Sequence, residues 1–201
     1  MAERRQRKSA ADRKAEIVAT AIRLAADYGP DRVTTQHLAD AVGVTQPAIF
    51  RHFATKNDIW LAVGDHIVNE MGVIHSHPVD LGGMDAHDML HRLVGHHFVH
   101  ISQNPAIPAI LFSRELQTEI TGLREKFATL LRERREAIEG LIRMAQANGQ
   151  HDVKIVAEDV AHLVMSAIHG LSMRWLLEDR SFDLAEEGNR VIGALLDGLR
   201  G

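Results

Sequence analysis

Apolar residues recur along this chain at helical spacing, and no stretch of any length alternates at the two-residue spacing of a strand. The first stripe is Ile17, Ala21, Leu24, Ala25 and Tyr28, widened by Val18 and Ile22. Ser9 and Asp12 have capping-box spacing in front of it, and Gly29-Pro30 breaks it, so a helix is expected from about Ser9 to Tyr28. A short helix follows over Thr35 to Val42, with Thr34 or Thr35 as its cap and Leu38, Ala39 and Val42 as its apolar side. Gly43 comes one residue later, where a helix end favours a left-handed residue. Thr45 is placed to cap the next helix, and Pro47 falls in its first turn, where a missing N–H does no harm. Ile49 and Phe53, four residues apart, face inward, which leaves Gln46, Ala48, Arg51 and His52 pointing out. Thr55 and Asp58 form a second capping box, and the helix over Asp58 to Ile74 carries Ile59, Trp60, Val63, Ile67 and Met71.

Residues 75–84, with Pro78, Gly82 and Gly83, read as a loop. Helices are then expected over Asp85–Gln103, over a short piece ending near Leu116 after Pro105 and Pro108, and over Thr121–Asn148. The last two cover Ala157–Glu178 and Leu184–Leu199. The fold class is all-α, with about nine helices. A three-helix head, residues 1–57, precedes a larger helical domain, residues 58–201, and the fourth helix is the lever between them.

A glycine turn between two short helices can be a mere helical corner. The outward side chains argue for a helix-turn-helix whose second helix enters a DNA major groove. A glutamine can bond a base edge, an arginine can pair with guanine or phosphate, and Ala48 or Pro47 can touch a thymine methyl. Lys56, at the exposed N–H groups that open the next helix, suits a backbone phosphate. From Thr34 to Trp60 the cap, the glycine turn, the Phe50-Arg51-His52-Phe53 core and Lys56 stand in the order of the TetR/AcrR family signature. The chain resembles that family of transcriptional regulators over roughly residues 10–64. The resemblance implies DNA contacts from Thr34, Thr35, Thr45, Gln46, Pro47, Ala48, Phe50, Arg51, His52 and Lys56. Phe50 stands where the family often has tyrosine, and it lacks the hydroxyl that meets a phosphate.

Charge supports this orientation. The net charge is −4, but residues 1–60 hold 10 Lys and Arg against 7 Asp and Glu, whereas residues 61–201 hold 13 against 20. A basic head on an acidic body turns one end toward phosphates. The arm, with Arg4, Arg5, Arg7, Lys8, Arg13 and Lys14, adds salt-sensitive affinity or merely solubility. The chain has 201 residues, 45% of them hydrophobic, enough for a substantial core. It has no cysteine, which excludes disulfides, thiolate metal sites and cysteine nucleophiles. No 18-residue apolar run and no secretory leader stand out, so a cytoplasmic protein without a membrane span is expected. No phosphate loop, H-E-x-x-H or nucleophile elbow is present, so no enzyme and no cofactor are expected.

The last two helices carry a wide apolar surface: Val160, Leu163, Val164, Ala167, Ile168, Leu171 and Trp175, then Val191, Leu195 and Leu199. This surface either belongs to the monomer core or pairs with a second copy across a two-fold axis. The resemblance implies the homodimer, which would read a palindromic operator, and a pocket for a small-molecule inducer. Candidate lining residues are Phe98, Ile101, Phe112, Phe127, Leu130, Met144, Met165, His169 and Met173. Eight of the 13 histidines lie between residues 61 and 100. His87 and His91, and likewise His96 and His100, are four apart and can share a metal ion, with His75, His77 or Asp88 completing the set. Ordinary polar helix positions are the preferred reading of these histidines, since no complete ligand motif closes.

Overall fold

The computed structural model describes the backbone of residues 8–76 and 84–200 and the side chains of residues 8–72 and 84–200. Its regular structure is entirely helical among the described residues. The head holds α1 (Ala10–Tyr28), α2 (Thr35–Val42) and α3 (Gln46–Phe50), and α4 (Lys56–Ser76) leads away from it. The body adds α5 (Ala86–Gln103), α6 (Ala106–Leu111), α7 (Arg114–Glu119), α8 (Thr121–Ala147), α9 (Ala157–Leu177) and α10 (Leu184–Asp197).

The helix ends follow from local chemistry. Ser9 accepts a hydrogen bond from the Asp12 N–H while the Asp12 carboxylate accepts from the Ser9 N–H, and Thr55 and Asp58 repeat the arrangement. Gly43 ends α2 at φ 74°, which a side chain rarely tolerates, and the Val44 N–H closes the end on the Ala39 carbonyl. Two expectations change. The single short helix ending near Leu116 is two, because the Ser113 hydroxyl caps a new start by accepting from the Leu116 N–H. The count becomes ten among the described residues, with a 3-10 turn over Pro30–Arg32 besides. Thr45 precedes α3 without a side-chain capping bond, so its hydroxyl stays on the surface.

Two hydrophobic clusters fill the interior. The first joins α1–α4 to α6, α7 and the leading half of α8 through Leu123, Phe127 and Leu130. The second joins α5, α9 and α10 to the trailing half of α8 through Ile138 and Ile142. Helix α8 therefore runs through both, and Arg134 lies at the seam between them. The head is also tied to the body directly, through a 2.6 Å hydrogen bond from the Ser113 hydroxyl to Asp31.

Helices α5 and α10 pack closely at two glycines. A Cβ at Gly188 would lie 2.5 Å from the ring of Phe98, which is fully enclosed. A Cβ at Gly95 would meet the Asn189 amide oxygen at 2.6 Å, the far end of a side chain that can swing away. Gly188→Ala is expected to cost about 1–3 kcal/mol by overpacking, and Gly95→Ala clearly less. Urea denaturation of the two variants measures the difference.

Helix α9 is, by length and hydropathy, long and apolar enough to cross a bilayer. Its inner face, with Val160, Val164, Ile168 and Trp175, is packed in the second cluster, as in a core helix. Yet only 39% of its most apolar window is buried within the subunit.

Candidate nucleic-acid interface and core cleft

Helices α2 and α3 stand as a corner whose inner side is closed by Leu38, Ala39, Ile49 and Phe53. That packing leaves Thr34, Thr45, Pro47, Phe50 and Arg51 exposed and Thr35, Gln46, Ala48, His52 and Lys56 half-buried. The Thr34 hydroxyl caps α2 by accepting from the His37 N–H. The Gln46 amide donates to the Thr35 hydroxyl at 2.7 Å, which fixes one helix against the other. That bond orients the glutamine and leaves its oxygen available as an acceptor. Phe50 is 42% exposed, a ring turned outward without a polar tip.

A wide surface groove between the start of α1 and α3 is walled by Lys8, Arg13, Val44, Ala48, Arg51 and His52. Lys8 and Arg13 both hold the Glu16 carboxylate at 2.7 Å. The Lys8 hydrogen bond is the main reason that the Glu16 pKa lies below the ordinary carboxylate range. A phosphate entering this groove competes with Glu16 for two cations. Arg4, Arg5 and Arg7 lie outside the described residues.

The body has a narrow cleft bounded by α4, α5, α6, α8 and α9. It brings together Ile101, Phe112, Phe127, Leu130 and His169 from the expected lining set. Phe98 instead packs on Gly188, Met144 is exposed, Met165 faces neighbouring hollows on either side of α9, and Met173 is half-buried away from the cleft. Sequence reasoning missed Ile67, Met71, His97, Ile107, Pro108, Leu111, Leu131, Arg134 and Ser172. One signal for Arg134 was available: it continues the Phe127–Leu130–Ile138 stripe of α8, a charge on an apolar face. The space left between the lining side chains is about 20 Å³, close to one water molecule.

Arg134 is 6% exposed. Its Nη1 donates to His97 Nδ1 at 2.6 Å and its Nη2 donates to the Met71 carbonyl at 3.1 Å. Burial pulls its pKa down to about 10. It is therefore still a cation at neutral pH.

No three His, Asp or Glu side chains converge as a metal-binding group among the described residues. His87 turns instead to His151, which sequence spacing did not single out, with Nδ1 and Nε2 2.9 Å apart. Its Nε2 lies 3.8 Å from Asp197. A donating His151 Nε2–H satisfies this arrangement and leaves only the lone pair of His151 Nδ1 without a partner. The His87 and His91 rings are 6.5 Å apart, His96 is exposed, and His100 is buried beside Asn104. The side chains of His75 and His77 lie outside those described.

Burial depresses the pKa of His87, His100, His151 and His169, in each case as the largest cause. Each takes up a proton more readily unfolded, at the ordinary value of 6.5, than folded. Between those values the unfolded chain binds more protons, so stability rises with pH and is lost as pH falls through about 6.5. The melting temperature is expected to drop between about pH 7.5 and pH 5.5. His151→Asn should shrink the drop, which differential scanning fluorimetry reads directly.

Comparison with known proteins agrees with this geometry. Residues 17–63 match the family model described as bacterial regulatory proteins, tetR family, and residues 75–198 match that of the YsiA-like protein, C-terminal region. The HTH-type transcriptional repressor BepR of Brucella suis biovar 1 is 24% identical over 219 residues, covering 98% of this chain and 96% of BepR. A transcriptional regulator from Saccharomonospora viridis in complex with choline superposes with a TM-score of 0.80 at 20% identity, over 93% of this chain and 96% of its own. FadR from Bacillus subtilis in complex with stearoyl-CoA has a TM-score of 0.74 at 20% identity, over 92% of this chain and 99% of its own. With both segments matched and the recognition corner in place, this chain belongs to the tetR family of bacterial transcriptional regulators.

Proposed function

We propose that the protein is a cytoplasmic repressor that binds a palindromic operator as a homodimer and is released by a small molecule entering the core cleft. Residues 1–57 act as the DNA-binding domain and residues 58–201 as the ligand-binding and dimerisation domain. The observation that carries the reading is the exposed set on α3 and its two ends, Thr45, Pro47 and Arg51, with Lys56 opening α4. These are base-reading and phosphate-holding side chains on a corner whose other side is packed.

The cleft supports the second half. Its walls include Ile67 and Met71 of α4 and Ile107, Pro108 and Leu111 of α6. Helix α6 packs on α1 of the head. Drug-sized ligands occupy some 300–1,000 Å³. A ligand of that size therefore enters only if the walls move, and a movement of α4 or α6 would carry the head with it. Binding then favours the conformation whose two heads do not fit the operator together. Choline and stearoyl-CoA, named with two proteins of this fold, differ so much that the fold leaves the ligand open.

Electrophoretic mobility shift against the sequence upstream of the protein's own gene tests the reading. Arg51→Ala and Lys56→Ala should each weaken binding uniformly across sequences and lower the salt slope by about one. Gln46→Ala should relax preference at one base pair by about 1–3 kcal/mol. Tight, sequence-selective binding by the Arg51→Ala, Lys56→Ala double variant would refute it.

A further inference from the structure

We propose that the cleft takes a small apolar monocarboxylate, whose head supplies the counter-charge that Arg134 lacks. The DNA-release consequence rests on the function proposed above, but the binding itself does not. Arg134 is more than nine-tenths buried, and no ion pair among the described residues includes it. Its two hydrogen-bond acceptors are both neutral. One is the Met71 carbonyl. The other is His97 Nδ1, which receives a proton from a group that can only donate and so carries none itself. The guanidinium Nε has no partner among the described residues. A buried ion held only by neutral dipoles is costly, and an arriving anion relieves that cost.

The rest of the cleft selects what that anion is attached to. Its walls are Ile101, Leu111, Phe112, Phe127 and Leu130, and no aspartate or glutamate among the described residues lines it. A cationic ligand would find no carboxylate among the described lining residues and a like charge at Arg134. A neutral apolar ligand would fill the walls but leave the guanidinium uncompensated. A polyphosphate would bring several charges to one enclosed cation. A single carboxylate matches the planar fork of one guanidinium, and its alkyl or aryl body matches the walls.

The location gives the ligand leverage. Arg134 sits on α8 where the two hydrophobic clusters meet, and its Nη2 holds the carbonyl of Met71 on α4. A carboxylate that takes over this donor frees α4 from α8 at the point where the lever crosses the body.

Isothermal titration and thermal shift with decanoate, decanol and decyltrimethylammonium test the site on the full chain. Decanoate should bind and raise the melting temperature, decanol should bind at least about tenfold more weakly, and the ammonium should not bind. Arg134→Met should weaken decanoate about 100-fold or more. In the unliganded protein the removal of a buried charge and the loss of the hydrogen bonds to His97 and Met71 act in opposite directions, so the melting temperature should change far less than decanoate affinity does. Should that variant misfold, Arg134→Lys keeps the charge without the fork, and it should retain the preference for decanoate over decanol at reduced affinity. Equal binding of decanoate and decanol, undiminished binding by Arg134→Met, or no binding of decanoate overturns the proposal. Operator release is scored separately. Binding without release removes the regulatory consequence and keeps the site, whereas release by a non-anionic compound keeps the regulator and removes the site.

Discussion

Replacing Leu163 with aspartate is expected to yield a folded monomer that has lost the tight binding of a two-half-site operator. Leu163 is 55% exposed on the outer side of α9, and Leu177, at the end of the same helix, is 79% exposed. Between them Ser166, Ala167 and Gly170 keep the surface low, so a second helix can approach closely. Val191 and Leu195 of α10 lie half-buried alongside. Less than half of the most apolar stretch of α9 is covered within the subunit, and in the homodimer proposed above a second copy of α9 and α10 would supply a surface of matching character. Near a two-fold axis one substitution would place two carboxylates in an apolar contact. The side chain is exposed in the single subunit, so helical content should not change. Avidity is then lost: affinity for the paired site should fall by about 10²–10⁴, while affinity for an isolated half-site stays the same. Sedimentation velocity gives the mass, and fluorescence anisotropy gives both affinities. A dimer that persists at low micromolar concentration places the interface elsewhere.

Trp60→Ala should remove a large part of the protein's stability. Trp60 is 1% exposed on α4. It belongs to the cluster that joins α1 of the head to α6 and α8 of the body. Truncating a large enclosed aromatic side chain costs about 3–5 kcal/mol, because the lost transfer energy is joined by a cavity that its neighbours fill only in part. A domain of ordinary stability holds about 5–15 kcal/mol in all. Because α4 packs on both α1 and α8, the cavity loosens the head on the body as well as each part internally. Operator binding should weaken even though Trp60 is not placed to touch DNA. A urea midpoint within about 1 kcal/mol of the parent protein would show that the surrounding helices collapse into the space.

Much of the α2–α3 corner is legible in the amino-acid sequence alone, for a physical reason. The Ser9–Asp12 and Thr55–Asp58 capping boxes, the left-handed Gly43 and the Ile49–Phe53 pair are relations between residues three to five apart. A helix sets such relations by its own geometry. The order of polar side chains on α3 follows from the same geometry. The cleft is only partly legible. Ile101, Phe112, Phe127, Leu130 and His169 belong to the expected set and line it. Phe98 and Met144 do not, because an apolar side chain on a helix has many possible neighbours and the periodicity does not choose among them. Phe98 meets Gly188, far along the chain on α10, and Met144 lies on the outer turn of α8.

The histidines show the same division. Spacing pairs His87 with His91, four residues on. The folded chain pairs it with His151, 64 residues away, because the loop after α8 returns to the start of α5. Arg134 is a sharper instance. In sequence it is a charge that interrupts the apolar stripe of α8, which marks it as buried but does not say what encloses it. Once α4, α5 and α8 converge, it is enclosed with a histidine and a backbone carbonyl. Helix positions, most of their caps and the outward face of α3 were written in the chain because hydrogen bonds over one turn and apolar spacing suffice to set them. The cleft, its buried cation and the histidine pair arose only when distant helices packed, since close packing and the exclusion of water make those partners and no local rule names them.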